Sequence, residues 1–151
     1  MKISLLLEEL NKWAPFKNAE DYDNIGLITG QLDTTVTGVL VALDSTEEVV
    51  QEAIDKNCNT IVAFHPIVFK GLKQLNGQTY VERAVVKAIQ NDINIIALHT
   101  ALDNVAHGVS GRMLQELNAE PLYILDAKSE NHGLGMVGQL QTPHSEEKFL
   151  E

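Results

Sequence analysis

The sequence predicts an α/β protein with a largely parallel or mixed sheet and helices on both faces. Short, near-continuous apolar runs recur along the chain, and segments with helical apolar spacing alternate with them. Runs of this kind read as strands buried on both faces, as in a parallel sheet. The length of 151 residues is enough for one compact domain with its own core. Apolar residues make up 44% and charged residues 21%, which excludes a disordered or collagen-like chain.

The first helix carries Ile3, Leu6, Leu7, Leu10 and Trp13 at helical spacing, with Glu8 and Glu9 between them. That spacing, with charges on the other face, reads as an amphipathic helix and not as a secretory h-region. The polar stretch from Asn18 to Asp23 leads into a short strand, Ile25 to Gly30, and Val36 to Leu43 forms the next strand, ending at Asp44. Ser45-x-x-Glu48 is a capping box that opens a helix with Val49, Val50, Ala53 and Ile54 on its inner face. Thr60 to Phe64 is the next buried strand. Thr79-x-x-Glu82 caps a helix whose inner face is Val81, Ala84, Val85, Ala88 and Ile89. Ile93 to Leu98 is another buried strand. Gly108 to Leu117 reads as helix, Leu122 to Leu125 and Leu134 to Leu140 as strands, and Thr142-Pro143 as the start of a last helix. The expected order is α-β-β-α-β-α-β-α-β-β-α.

The net charge is −10, with 11 Lys and Arg against 21 Asp and Glu. A surface that acidic disfavours general nucleic-acid binding. The balance is local, however. Residues 61–92 hold Lys70, Lys73, Arg83 and Lys87 against Glu82 and Asp92, a net-positive stretch directly after His65. Cys58 is the single cysteine, which excludes an internal disulfide framework and a cysteine-based zinc site within one chain. The cytoplasm is the expected compartment. No apolar run approaches the roughly 20 residues of a membrane-spanning helix. Neither GxxxxGK[ST] nor GxGxxG is present.

Three consecutive strands end on side chains that can bind a ligand: Asp44, His65 and His99. In open α/β sheets functional groups gather at the carboxyl ends of the strands. Neighbouring strands lie about 4.8 Å apart, so side chains leaving adjacent ends can converge on one ion. Asp103 follows His99 by four residues and can return a carboxylate to the same point. His65, His99 and Asp103 make a mixed nitrogen and oxygen set suited to zinc, manganese, iron or another first-row divalent ion. A lone histidine is more often a hydrogen-bonded structural residue, and His107, His132 and His144 read as exposed and structural. Asp44 also reads as a helix cap, and Asp23-Asn24-Ile25-Gly26 as a turn. Pro66 stops the strand and fixes the direction of His65. Lys70 and Lys73 follow, and are either solvated or available to an anionic substrate.

Taken together, Asp23-Asn-x-Gly-Leu27, His65-Pro66-x-x-Phe69-Lys70-Gly71, Tyr80-x-x-Arg83 and His99-Thr100-x-x-Asp103 resemble the GTP cyclohydrolase I type 2 homologues, also called Nif-three-like dinuclear-metal proteins. The match is ordered and strongest between residues 20 and 111. The resemblance implies a Nif-three-like α/β fold, up to two divalent metal ions per subunit and a toroidal homohexamer. It makes His65, His99 and Asp103 metal-ligand positions. Two departures stand out. The family usually has His-His-Pro where this chain has Phe64-His65-Pro66, and Gly-Gly-Val-Asn where it has His107-Gly-Val-Ser110. The family also completes its site with a His-x₃-Glu pair near the C-terminus, which nothing here matches. Residues 1–151 are accordingly expected to be a single α/β domain forming the N-terminal part of a longer protein.

The function expected on this basis is divalent-metal binding, with metal-activated water available for hydrolysis of a nucleotide or another small anionic phosphate compound. His65, His99 and Asp103 would be the metal ligands, and Asp23 and Lys70 the catalytic candidates, Asp23 as an acid, base or positioning group and Lys70 as an anion-binding group. The competing class is a non-catalytic, metal-dependent oligomeric scaffold or regulator, to which the loss of a ligand at position 64 gives weight.

Overall fold

The computed structural model describes residues 1–150 and separates into two compact units, Met1–Ala101 and Leu102–Glu151. The first opens with α1 (Ile3–Trp13), followed by a 3-10 turn at Phe16–Asn18. Then come β1 (Gly26–Thr29), β2 (Val39–Ala42), α2 (Glu47–Asp55), β3 (Thr60–Ala63), α3 (Tyr80–Gln90) and β4 (Asn94–Ala97). The short helix α4 (His99–Asp103) follows. The second unit contains α5 (Val109–Glu116), β5 (Ala119–Ser129), β6 (His132–Leu140) and α6 (Glu146–Leu150). Apart from α4 and the 3-10 turn, the order is the one expected from the sequence.

The four-stranded sheet runs β1-β4-β3-β2 and is mixed. β2, β3 and β4 are parallel, whereas β1 pairs antiparallel with β4. β3 and β4 are buried along their whole length, as their mostly apolar runs predict, with the polar Thr60 and Asn94 buried at their starts. On one face, Ile61, Ala63 and Ile95 pack with Val50 and Ala53 of α2 and Ala84, Val85 and Ala88 of α3. The alternate residues Val62 and Ile96 are buried too, as are Ile3 of α1 and Ala14 just after it. Side chains alternate between faces along a strand, so both faces of the central pair are covered.

β2 departs from expectation. It is an edge strand whose burial alternates, with Val41 77% exposed and Val39 and Leu43 also at the surface. An apolar run marks a good strand former, but says nothing of whether a neighbour covers its second face.

One of the two capped helix starts also shifts, by a residue. The N-cap of α2 is Thr46, which accepts a hydrogen bond from the Val49 amide, one residue beyond the expected Ser45. Ser45 is instead buried. The α3 cap is Thr79 as expected, accepting from the Glu82 amide at 3.2 Å.

In the second unit β5 and β6 form a long antiparallel hairpin, and α5 packs on both strands. Gly138 permits that contact: a Cβ there would lie 2.7 Å from Leu114 Cδ2. The hairpin strands start earlier than the sequence suggests because β5 includes exposed polar positions that carry no periodic signal. α6 opens at Glu146, with the Ser145 hydroxyl accepting from the Lys148 amide, rather than at Thr142-Pro143. His107 and His144 are exposed as expected, while His132 is half-buried in a bridge to Val105. No helix among the described residues is long and apolar enough to cross a membrane.

Candidate functional site

The register of the parallel strands builds the site. Ala42, Ala63 and Ala97 are aligned across β2, β3 and β4. Asp44, His65 and His99 each lie two residues beyond that row. The ladder continues past the strands, with the His65 amide donating to Leu43 O and the His99 amide to Phe64 O, both at 2.9 Å. The two imidazole rings consequently sit side by side, 5.5 Å between centroids and inclined by 74°. These strand ends lie at the carboxyl edge of the sheet, as the sequence predicts.

Each imidazole is held by a carboxylate. His65 Nδ1 lies 2.8 Å from Asp44 Oδ1, and His99 Nδ1 lies 2.8 Å from Asp23 Oδ1. An ionised carboxylate only accepts hydrogen bonds, so Nδ1 carries the proton in both rings. In the neutral imidazole that leaves the lone pair on Nε2, the arrangement by which carboxylates fix metal-binding histidines.

Asp23 is the more firmly fixed carboxylate. Its side chain is only 1% exposed, and it accepts from the Thr100 amide at 3.1 Å, from the Thr100 hydroxyl, and from the Asn24 amide at 2.7 Å. Burial opposes its charge, but the hydrogen bonds from His99, Thr100 and Asn24 together outweigh that and hold its pKa below the usual carboxylate value. The Thr100 hydroxyl also accepts from the Glu20 amide at 2.9 Å, so one side chain ties residues 20–23 to the start of α4. His99 itself has φ +32°, an uncommon conformation for a residue with a side chain. Strain of this kind persists where surrounding contacts over-determine it, as the Phe64 carbonyl and Asp23 do here.

Phe64 takes the position expected to hold a histidine. Its ring packs edge-on to both imidazoles, at 4.9 Å from His65 and 5.5 Å from His99. It offers no lone pair. Among the described residues, no group of three or more His, Cys, Asp or Glu side chains is arranged to hold a metal ion. The donors that converge fit a first-row divalent ion in type, being two carboxylate-oriented imidazoles. Asp103, the last residue of α4, is half-buried and belongs to the second unit. Lys70 is exposed and makes no hydrogen bond or ion pair with the described residues.

A cavity of about 390 Å³ adjoins His65, lined by Asp44, Ser45, Thr46, Pro66, Ile67 and Tyr80. Thr100 and the pairing of Asp44 with His65 escape a reading of sequence alone. Asp44 carries a signal as a strand-end acid, but the adjoining Ser-Thr-Glu-Glu favours reading it as part of a helix start.

The comparisons agree with the motifs. The model of the Duf34/NIF3 (NGG1p interacting factor 3) family matches residues 1–151. A Staphylococcus epidermidis protein named GTP cyclohydrolase 1 type 2 homolog is 43% identical over 129 residues, covering 85% of this chain and 35% of the relative. A Staphylococcus aureus protein of the same name is 44% identical over 130 residues, 86% of this chain and 35% of its own length. The chain thus spans about a third of the length of these curated relatives. A Staphylococcus aureus crystal structure superposes with TM-score 0.81 at 44% identity, covering 85% of this chain and 36% of that one. A Bacillus cereus protein related to NIF3 gives 0.79 at 34% identity, over 84% and 36% of the two chains. With a family model matched from end to end and relatives above 40% identity over most of its length, the chain belongs to the Duf34/NIF3 family.

Proposed function

We propose that this chain supplies His65, His99 and Asp103 as ligands for divalent metal, and that the complete site hydrolyses a small phosphate-bearing compound. The observation that carries the reading is the paired orientation of the two imidazoles, each with Nδ1 on a carboxylate at 2.8 Å. A bound divalent ion would lower the pKa of a coordinated water and polarise a phosphoryl oxygen. The chain's own residues have defined parts in this scheme. Asp44 and Asp23 keep the Nε2 lone pairs of His65 and His99 available. Asp23 is a positioning residue, since its oxygens are occupied by His99, Thr100 and Asn24. That occupancy moves it away from the acid-base part suggested by sequence. Lys70, exposed and without an ion pair among the described residues, attracts the anion. The expected metals are zinc, manganese or iron, up to two ions per subunit, in a cytoplasmic homohexamer.

Phe64 favours a second reading in which metal serves an oligomeric scaffold without turnover, because one ring nitrogen fewer is available at the strand ends. Element-resolved metal analysis of the chain beside His65→Ala and Asp103→Ala tests metal binding. The expected result is bound metal in the parent chain and at least a tenfold loss of affinity in both variants. The same sub-stoichiometric metal in all three would end the proposal. Metal-dependent cleavage of a phosphodiester, abolished in those variants, selects the hydrolase; tight binding without turnover selects the scaffold.

A further inference from the structure

Aromatic residues are scarce in this chain, at 5%, and the buried apolar core among the described residues contains none. That core is Ile, Val, Leu and Ala throughout. Three of the aromatic rings gather instead beside the imidazole pair. Phe64 contacts both histidines, Phe69 lies 6.2 Å from His99 at 87°, and Tyr22 lies 6.4 Å from Phe69 at 61°. Phe69 is 47% exposed and Tyr22 66%.

Packing does not account for those two rings, because each leaves much of its surface in water. Their backbone is nonetheless fixed. Asn24 Nδ2 donates to the Val68 carbonyl at 2.5 Å, joining the Tyr22 loop to the Phe69 segment, and Asp23 anchors the same loop to His99 and Thr100. Rings held ready beside polar groups form a low-entropy binding surface for another flat ring.

The charge beside them is equally specific. Within the net-positive stretch, Arg83 is paired with Glu47 at 2.7 Å and Lys87 donates to the Glu47 carbonyl. Lys70 and Lys73 are exposed and make no ion pair with the described residues. The uncommitted positive charge of this stretch therefore begins at the residue after Phe69.

We infer that Tyr22 and Phe69 form a subsite for the planar aromatic or heteroaromatic ring of an anionic ligand, with Lys70 receiving its negative group. The inference rests on the reading of the His65 and His99 strand ends as the functional site, and it names the substrate class that site would accept.

Calorimetric titration of the chain with 1-naphthyl phosphate and with methyl phosphate, with and without zinc, tests it. Naphthyl phosphate should bind about tenfold more tightly, the scale of one stacked ring. Tyr22→Ala and Phe69→Leu should each reduce that preference to within about threefold, and Lys70→Gln should weaken both phosphates alike. Both rings are exposed, so far-UV circular dichroism should report an unchanged fold. Equal affinity for the two phosphates, a preference surviving both ring substitutions, or no binding of either at millimolar concentration would overturn the inference. Zinc binding, followed on the same samples, separates the two proposals. A ring preference without zinc binding refutes the metal reading alone, and zinc binding without a ring preference refutes this one alone.

Discussion

Replacing Asp23 and Asp44 by alanine, one at a time, asks whether burial or distance sets the strength of a histidine–carboxylate pair. Both pairs measure 2.8 Å. Their surroundings differ: the Asp23 and His99 side chains are 1% and 20% exposed, those of Asp44 and His65 52% and 45%. Asp23→Ala removes the acceptor for His99 Nδ1–H, the Thr100 amide and the Thr100 hydroxyl, while the exposed Asn24 amide returns to water. A hydrogen bond to a charged acceptor contributes about 1.5–3 kcal/mol, and breaking a buried pair costs about 3–5 kcal/mol. His99 retains some contact with water, which puts the expected loss near the lower bound, about 3 kcal/mol. Asp44→Ala breaks an exposed pair and should cost at most about 1 kcal/mol. With a urea m-value of about 1.5 kcal/mol/M, the midpoint falls by about 2 M for Asp23→Ala and by well under 1 M for Asp44→Ala. Urea titration followed by far-UV circular dichroism reads both, with an unchanged m-value as the check that only stability moved. Equal midpoint shifts in the two variants would refute the argument from burial.

Three further predictions concern the scaffold under the site. Thr79→Ala removes the α3 cap and should destabilise by about 1 kcal/mol, a loss that Thr79→Ser largely restores in the same urea assay. Ile95→Ala opens a cavity in a fully buried strand and should cost about 2–5 kcal/mol, whereas Val41→Ala on the exposed side of β2 should stay within about 0.5 kcal/mol. Glu82 is pushed towards a higher pKa by burial, but hydrogen bonds from Gln78, Thr79 and Asn76 outweigh this and leave it below its ordinary 4.5. The folded state therefore binds its proton more weakly than the unfolded state. The stabilisation is complete above pH 4.5 and is lost as pH falls through the lowered folded value. Urea midpoints measured over that range should fall less steeply in Glu82→Gln than in the parent chain; parallel curves would remove Glu82 from the account.

Much of this fold is legible because local signals and tertiary burial agree. β3 and β4 are mostly apolar and are buried throughout, and the inner faces of α2 and α3 hold residues that their helical spacing selects. What is not legible is relational. The apolar run of β2 is as strong as those of its neighbours, yet at the sheet edge Val39 and Val41 meet solvent. The direction of β1 has no signature in its four residues, because antiparallel pairing with β4 depends on chain 66 to 71 residues away in register. The one-residue shift of the α2 cap has a plainer cause. Ser45 and Thr46 are both good caps, and burial of Ser45 decides between them.

The site divides along the same line. His65 and His99 are visible in the sequence because equivalent strand ends in a parallel sheet must lie together, and the aligned alanines deliver that geometry. By local pattern Asp23 reads as a turn residue and becomes a candidate only through the motif resemblance, since its partner stands 76 positions further along. Its contribution comes from burial, which a turn-like sequence does not advertise. Phe64 is the informative exception. It keeps the strand end and contacts both imidazoles, but brings a hydrophobic edge where a nitrogen was expected. On the proposed metal reading, phenylalanine in place of histidine leaves one donor fewer and sets an apolar edge against both imidazoles. The exposed Phe69 meets the same His99 ring at 6.2 Å, and Tyr22 meets Phe69 at 6.4 Å. The chemistry of this strand end is therefore better described by what the rings can stack against, together with what the two imidazoles can bind, than by either alone.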